Sequence, residues 1–129
     1  MILLSEVLII ELGVKSVNDI VKAHFINPKN IGRIKKPTNT NKYKSGFCGD
    51  TVEVYAIVEN NIVQEIKYNV FGCHAVIAAS SVISEWAKDK SIDELRNLKY
   101  ETVISMLGGE IEEEKINCVK TAITAFANI

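Results

Sequence analysis

Length, composition and charge limit the class of protein before any motif is considered. A chain of 129 residues with 47% hydrophobic residues can bury the core of one ordinary globular domain. Its net charge of −1 excludes an overall field that would recruit nucleic acid or an anionic membrane. The three cysteines are widely spread and do not fit a secreted disulfide framework, so we expect a reducing, cytoplasmic location.

The start of the chain predicts one clear helix. Residues 1–12 are apolar but lack the basic start and cleavage site of a signal peptide, and their pattern fits a helix or a buried strand equally well. Ser16 and Asp19 form a capping-box pattern, followed by an inward stripe that stops before Pro28 and consists of Val17, Ile20, Val21 and Phe25. We expect His24 on this helix to be solvated or hydrogen bonded rather than a ligand.

Residues 27–49 form the one charge block of the chain. The segment is interrupted by proline and glycine and carries six basic residues and no acidic ones: Lys29, Arg33, Lys35, Lys36, Lys42 and Lys44. We expect a solvated loop. The alternatives are a segment that raises the potential at nearby thiolates or docks an acidic partner, whereas nucleic-acid binding has no supporting motif.

Residues 51–70 predict a β-hairpin. The first strand alternates over residues 51–58, and the chain returns over residues 62–70. The turn between them is Asn60-Asn61, since asparagine tolerates a positive φ. This hairpin would bring Cys48, before the first strand, and Cys73, after the second, to the same end of the sheet.

The rest of the chain predicts helices. Cys73 stands at a helix start, where free N–H groups stabilise a thiolate, and Gly72 is expected to allow a tight turn before it. Ser91 and Glu94 form a second capping box, and a further short helix ends at two glycines. An acidic run, expected to be a solvated connector, leads to a last helix that starts near Cys118.

Four side chains form a candidate ligand set. They are Cys48, Asp50, Cys73 and Cys118. Three thiolates and one carboxylate can complete a four-coordinate site for a metal ion or an iron–sulfur unit. The alternative for each cysteine is a small buried apolar residue. Their positions at element ends, where loops and helix starts meet, favour a shared site.

The segments around these residues resemble a known family. They are residues 24–32, 47–50 (Phe-Cys-Gly-Asp), 71–73 (Phe-Gly-Cys) with 75–81 and Glu85-Trp86 after them, and 115–118 (Lys-Ile-Asn-Cys). In order and approximate spacing they resemble the IscU/NifU N-terminal family of iron–sulfur cluster assembly scaffolds. The similarity begins near Val17. We therefore expect a scaffold domain at residues 16–129 and an N-terminal extension at residues 1–15.

The resemblance implies a fold and an activity. The fold would be α+β, with a small, mostly antiparallel three-stranded sheet and helices packed on one face. The activity would be that of a scaffold, not an enzyme: persulfide sulfur from a cysteine desulfurase and iron are built into a labile [2Fe–2S] cluster, which passes to apo iron–sulfur proteins. No nucleic acid or membrane is implied as a partner, and a homo-oligomer is left open.

Site roles follow from the same resemblance. Carried over by motif, Cys48, Cys73 and Cys118 would be cluster ligands, and Asp50 would be the carboxylate that keeps the cluster labile. Cys118 would also be the persulfide acceptor. Zinc is a further candidate for the ion held in the resting state.

Two departures from the family pattern affect these expectations. Asn117 stands where IscU-type members usually have histidine, and an amide is a poor ligand, so Asp50 must fill the fourth position or leave it open. His74 could supply an imidazole, although adjacent ligands at a helix start point apart. Residues 111–115 lack the proline-containing chaperone motif, so we do not expect chaperone-dependent transfer.

Two other classes stay open. A SufU-like zinc-binding sulfur carrier would relay persulfide through Cys118 without building a cluster. That subfamily also lacks the histidine, but it carries an insertion that is not evident between Cys73 and Cys118. A non-catalytic partner of a cysteine desulfurase would be a degenerate scaffold, and the complete set of three cysteines and Asp50 argues against degeneration.

Overall fold

The computed structural model describes residues 19–46 and 49–129, and this part of the chain contains an antiparallel sheet. Its strands, in spatial order, are β1 (Asn39–Lys44), β2 (Thr51–Glu59) and β3 (Ile62–Phe71). The helices of the described residues are α1 (Asp19–Ile26), α2 (His74–Ala87), α3 (Ile92–Arg96), α4 (Tyr100–Met106) and α5 (Ile116–Ala127), with a 3₁₀ turn at Glu113–Lys115. The predicted α+β fold with a three-stranded sheet is confirmed.

The core lies between the inner face of the sheet and two helices. Val52, Val54 and Ala56 of β2 are fully buried, while the residues between them are partly exposed. Helix α2 packs on β3, and α5 packs on α2, β1 and β2. Tyr68 of β3 meets Phe126 of α5 edge to face, with ring centroids 5.7 Å apart. Among the described residues, no helix has the length and apolar character needed to cross a membrane.

The predicted hairpin is present with its predicted turn. Asn60 and Asn61 have φ angles of 52° and 67°, so both occupy the left-handed region that the two-residue hairpin turn requires. Strands β2 and β3 pair antiparallel from Thr51 opposite Phe71 to Glu59 opposite Ile62. One register shift interrupts the pairing near the turn, between Ile57 and Val58.

The helix starts are close to those predicted. Cys73 is the N-cap of α2 in extended conformation. The capping box of α3 is complete: the Glu94 N–H donates to Ser91 Oγ over 3.1 Å, and the Ser91 N–H donates to Glu94 Oε2 over 2.8 Å. Helix α5 begins at Ile116, so Cys118 lies in its first turn and is not its cap.

The expectation of a solvated loop for residues 27–49 is wrong for residues 39–44, which form β1. Its inward positions include two asparagines instead of apolar residues. Asn39 Nδ2 donates to the Ile129 carbonyl over 3.4 Å, and Asn41 Nδ2 donates to the Ala125 carbonyl over 2.9 Å. These side chains satisfy carbonyl groups near the C-terminus of α5. The strand therefore lacks the apolar alternation by which strands are recognised.

The predicted inward stripe of α1 is only partly correct. Val21 is buried, but Ile20 and Phe25 are 43% and 37% exposed. Polar contacts hold the end of α1 and the turn after it: Ser81 Oγ of α2 lies 2.6 Å from His24 Nδ1 and accepts the Lys29 N–H over 2.9 Å. His24 is thus hydrogen bonded, as expected. The predicted cap at Ser16, Val17 and the N-terminal extension lie outside the described residues.

Acidification should destabilise the fold through His24. Burial is the main cause that lowers the pKa of His24 from its ordinary value of 6.5, with Glu85 opposing and Lys29 adding to the shift. The folded chain therefore binds this proton more weakly than the unfolded chain, so the stability that neutral His24 provides is present above pH 6.5 and is lost below it. We expect the melting temperature to fall more steeply on acidification than that of His24→Gln. Equal slopes in thermal denaturation would contradict this assignment.

Candidate metal and sulfur site

The β2–β3 pairing and a closed loop bring two chain segments to one end of the sheet. The loop between β1 and β2 is closed by the Ser45 N–H, which donates to the Asp50 carbonyl over 2.7 Å. Because Thr51 pairs with Phe71, Asp50 and Gly72 come directly beyond the same end of the hairpin. The sequence predicts that Cys48 and Cys73 lie at this same end of the sheet. Cys48 belongs to this loop in sequence but lies outside the described residues.

Three of the four predicted ligand residues meet at this end. One ligand atom each of Asp50, Cys73 and Cys118 lies within 4.8 Å of the other two. The Cys73 thiol donates to Asp50 Oδ2 over 3.8 Å. Cys118 reaches the group because α5 packs against α2, at whose start Cys73 lies. The side chains thus form one cluster of two thiols and a carboxylate.

Burial and like-charged neighbours determine the electrostatics of this cluster. Asp50 and Cys118 are only 4% and 6% exposed, and Cys73 is half-buried. Burial raises the pKa of the Cys118 thiol strongly, and Cys73 and then Asp50 raise it further. Without a cation, Cys118 therefore keeps its proton at neutral pH. A bound cation would replace that proton, because metal ligation requires the thiolate.

The donor atoms fit a borderline or soft metal ion. Thiolate sulfur and carboxylate oxygen are ligands of zinc and of iron, and iron–sulfur units are held by thiolates. The start of α2 adds free backbone N–H groups beside Cys73, which favour negative charge there. The cluster can therefore hold a metal ion or an iron–sulfur unit.

His74 and Asn117 lie outside this cluster. The His74 ring lies edge to face against Phe25, with centroids 6.0 Å apart, and His74 is not among the residues whose ligand atoms converge. Asn117 is exposed, and its backbone carbonyl accepts the Thr121 hydroxyl over 2.9 Å. Asn117 thus stands at the surface beside the site.

The chain bends at Gly72 just before α2, as predicted. The bend does not use a positive φ, so it does not require the left-handed region that favours glycine. The loop glycine that does adopt the left-handed region is Gly49, with φ of 74°, between Cys48 and Asp50. Sequence reasoning did not single out Gly49, although a glycine between two candidate ligands is a signal for an unusual backbone conformation.

Fold and site together define a small α+β domain that gathers thiols and a carboxylate at one end of an antiparallel sheet. A family model described as the NifU-like N terminal domain matches residues 16–128. The chain therefore belongs to the NifU-like N-terminal domain family.

Proteins with similar sequences carry names that are consistent with this family. The iron-sulfur cluster assembly scaffold protein IscU 1 of Archaeoglobus fulgidus is 36% identical over 108 residues, covering 84% of this chain and 70% of the relative. The corresponding IscU of Aquifex aeolicus is 31% identical over 108 residues, covering 82% of this chain and 68% of the relative.

Solved structures support the fold. A putative iron-sulfur cluster assembly scaffold protein for the SUF system from Fervidobacterium islandicum superposes with a TM-score of 0.73 at 16% identity, covering 84% of this chain and 92% of the other. The N-terminal NifU-like protein of Brucella abortus gives a TM-score of 0.72 at 19% identity, covering 88% and 92%.

Substitution of His74 tests whether this residue is a metal ligand or only a neighbour of the ligands. We expect His74→Ala to bind Co²⁺ with unchanged affinity and unchanged visible bands, because its ring packs on Phe25 outside the cluster. Cys73→Ser should weaken Co²⁺ binding and reduce the sulfur-to-cobalt charge-transfer absorption. A titration followed by absorption measures both. A loss in His74→Ala as large as that in Cys73→Ser would make His74 a ligand.

Proposed function

We propose that this protein is a scaffold for iron–sulfur cluster assembly. It accepts sulfur as persulfide from a cysteine desulfurase, takes up iron, builds a labile [2Fe–2S] cluster and passes it to apo iron–sulfur proteins. The observation that carries the proposal is the buried convergence of Asp50, Cys73 and Cys118. The names of the relatives, which are cluster assembly scaffolds, support it.

We assign the cluster to Cys48, Asp50, Cys73 and Cys118. Cys48 completes the set by chain connectivity, since it lies two residues before Asp50 in the loop that the Ser45–Asp50 hydrogen bond closes. A carboxylate is a harder and weaker ligand for this cargo than a thiolate, so it favours exchange. Asp50 therefore makes the site suited to releasing what it holds.

We assign sulfur acceptance to Cys118. Its thiolate attacks the outer sulfur of the donor persulfide, a new sulfur–sulfur bond forms on Cys118, and the donor cysteine leaves as a thiolate. The proton of the Cys118 thiol passes to solvent or to the departing thiolate. Because Cys118 is only 6% exposed and its pKa is raised, the docked desulfurase has to expose this thiol and assist its deprotonation.

The domain and its setting follow the same proposal. The family match from residue 16 supports a scaffold domain at residues 16–129 and an N-terminal extension at residues 1–15. Free thiols at Cys73 and Cys118 are consistent with a reducing cytoplasm. Neither nucleic acid nor a membrane is proposed as a partner, and self-association is a matter for measurement.

A zinc-holding sulfur carrier is the second candidate. Asp50, Cys73 and Cys118 suit tetrahedral zinc as well as iron. The absence of histidine at position 117 favours this reading, since an exposed asparagine offers no imidazole to a cluster. In that case Cys118 would relay persulfide and no cluster would form. A degenerate partner of the desulfurase is disfavoured because two of the cysteines and Asp50 still converge.

Reconstitution distinguishes these candidates. The protein is purified anaerobically, and metal, acid-labile sulfide and the visible spectrum are measured before and after incubation with a cysteine desulfurase, cysteine, ferrous iron and a dithiol reductant, which supplies electrons for sulfide formation. A chromophore with equal iron and sulfide, lost in Cys73→Ser, is expected for a scaffold. Zinc with persulfide and no chromophore would indicate a sulfur carrier. Neither metal nor persulfide would indicate a non-catalytic partner.

Cys118→Ser should abolish sulfur acceptance. After incubation with the desulfurase and cysteine, mass spectrometry of the parent should show one added sulfur atom on the peptide that contains Cys118. Cys73→Ser should retain this gain, which makes it the matched control. Labelled sulfur found on Cys48 or Cys73 in the Cys118→Ser protein would reassign the acceptor.

Asp50→Ala should lengthen the lifetime of a bound cluster. The change removes the weaker oxygen ligand and with it a route for exchange. The decay of the visible absorption in the presence of an iron chelator measures the lifetime. Asn117→Ala, an exposed truncation beside the site, should leave it unchanged. Faster decay in Asp50→Ala than in the parent would contradict the role given to this carboxylate.

A further inference from the structure

The backbone at Gly72 lies unusually close to the Asp50 carboxylate. A β-carbon built on Gly72 would come 2.5 Å from Asp50 Oδ1, 2.7 Å from Asp50 Cγ and 2.6 Å from Val76 Cγ1. Real β-carbons do not approach other atoms within 3.0 Å. The absent side chain of Gly72 therefore leaves a notch at the site, and the carboxylate lies in it.

The two residues that line this notch, Asp50 and Val76, have little space into which they could move. Asp50 is 4% exposed, its carbonyl is hydrogen bonded to the Ser45 N–H, and β2 starts at the next residue. Val76 belongs to α2 and is fully buried in the core. A side chain at position 72 would therefore have to displace the Asp50 carboxylate, which lies 3.8 Å from the Cys73 sulfur.

We propose that Gly72 is a positioning residue that determines whether the site contains an oxygen ligand. With glycine at position 72, the Asp50 carboxylate fits beside the two thiols. With any larger residue, the carboxylate moves away and the site becomes one of thiolates alone. Only the identity of the bound metal or cluster rests on the proposed function. The steric contact between position 72 and Asp50 is the same whatever the site binds.

Two glycines in the loop between β1 and β2 provide matched comparisons. In the part of the chain that the structure describes, a β-carbon built on Gly49 meets no atom within 4 Å, but the φ of 74° makes any substitution there strained. A β-carbon built on Gly46 likewise meets no described atom within 4 Å, and Gly46 has no positive φ. Gly46→Ala is therefore the control for adding a methyl group to this region, and Gly49→Ala is the control for backbone strain without contact to Asp50.

The test compares Gly72→Ala with Asp50→Ala in the full chain. Co²⁺ titration should show an affinity about tenfold lower in both, the lower end of the usual range for loss of a group that supports a metal site. The visible cobalt bands should shift in the same direction in both. Adding Gly72→Ala to Asp50→Ala should cause no further change, because the group it displaces is already absent. Gly46→Ala should behave as the parent.

One further variant and a metal-free measurement keep the test decisive. Gly72→Ala/Val76→Ala relieves the contact with the core, so it should fold where Gly72→Ala does not and should still lose Co²⁺ affinity. Without metal, iodoacetamide should modify Cys73 faster in Gly72→Ala and in Asp50→Ala, because in both the Asp50 carboxylate no longer lies against this sulfur or accepts its hydrogen bond. Peptide mapping assigns the modified cysteine.

Defined outcomes would overturn the proposal. They are a cobalt affinity, cobalt spectrum and Cys73 alkylation rate like those of the parent in Gly72→Ala, or an equal further loss when Gly72→Ala is added to Asp50→Ala. These readouts need no desulfurase and no cluster. Failure of the parent to assemble a cluster would contradict the proposed function while leaving the result for Gly72 intact.

Discussion

The pairing of β2 with β3 is the constraint on which the site depends. The two-asparagine turn and the antiparallel register determine which residues lie side by side at the opposite end of the hairpin. That end is ten residues from the turn, counted along β3. A slip by one residue would turn Val52, Val54 and Ala56 toward solvent, so the buried face of β2 holds the register. Packing of the core thus keeps Asp50 close to Cys73. The local sequences around these two residues could not do so alone.

The third member of the cluster depends on helix packing instead of strand pairing. Cys118 approaches because α5 lies against α2 and the sheet, with Phe126 seated on Tyr68 further along the same helix. A buried carboxylate at such short range from two thiols opposes folding when no cation is present. The apolar packing of α5 offsets this cost, and a bound cation would remove much of it. Stability and cation binding are therefore coupled at the site.

Sequence predicted most strongly where one local rule governs the structure. The Asn60-Asn61 turn, the Ser91–Glu94 capping box and the helix start at Cys73 each depend on a few adjacent residues, and all are present. Strand β1 was missed because its inward asparagines donate to carbonyls at the end of α5 and just beyond it, which are distant in sequence. For the same reason the sequence predicted the bend at Gly72 but not its close contact with Asp50, which precedes another strand.

Strand β1 has a dynamic consequence because its attachment is mostly polar. Of its inward residues, Tyr43 packs against the core, whereas Asn39 and Asn41 are held by single side-chain hydrogen bonds. Little apolar area opposes its detachment, so we expect local unfolding of the fold to begin at this edge, with faster amide hydrogen exchange in β1 than in β3. Such an opening would loosen the loop that carries Asp50 while Cys73 and Cys118 stay on their packed helices. The carboxylate side of the site could thus become accessible while the core stays folded.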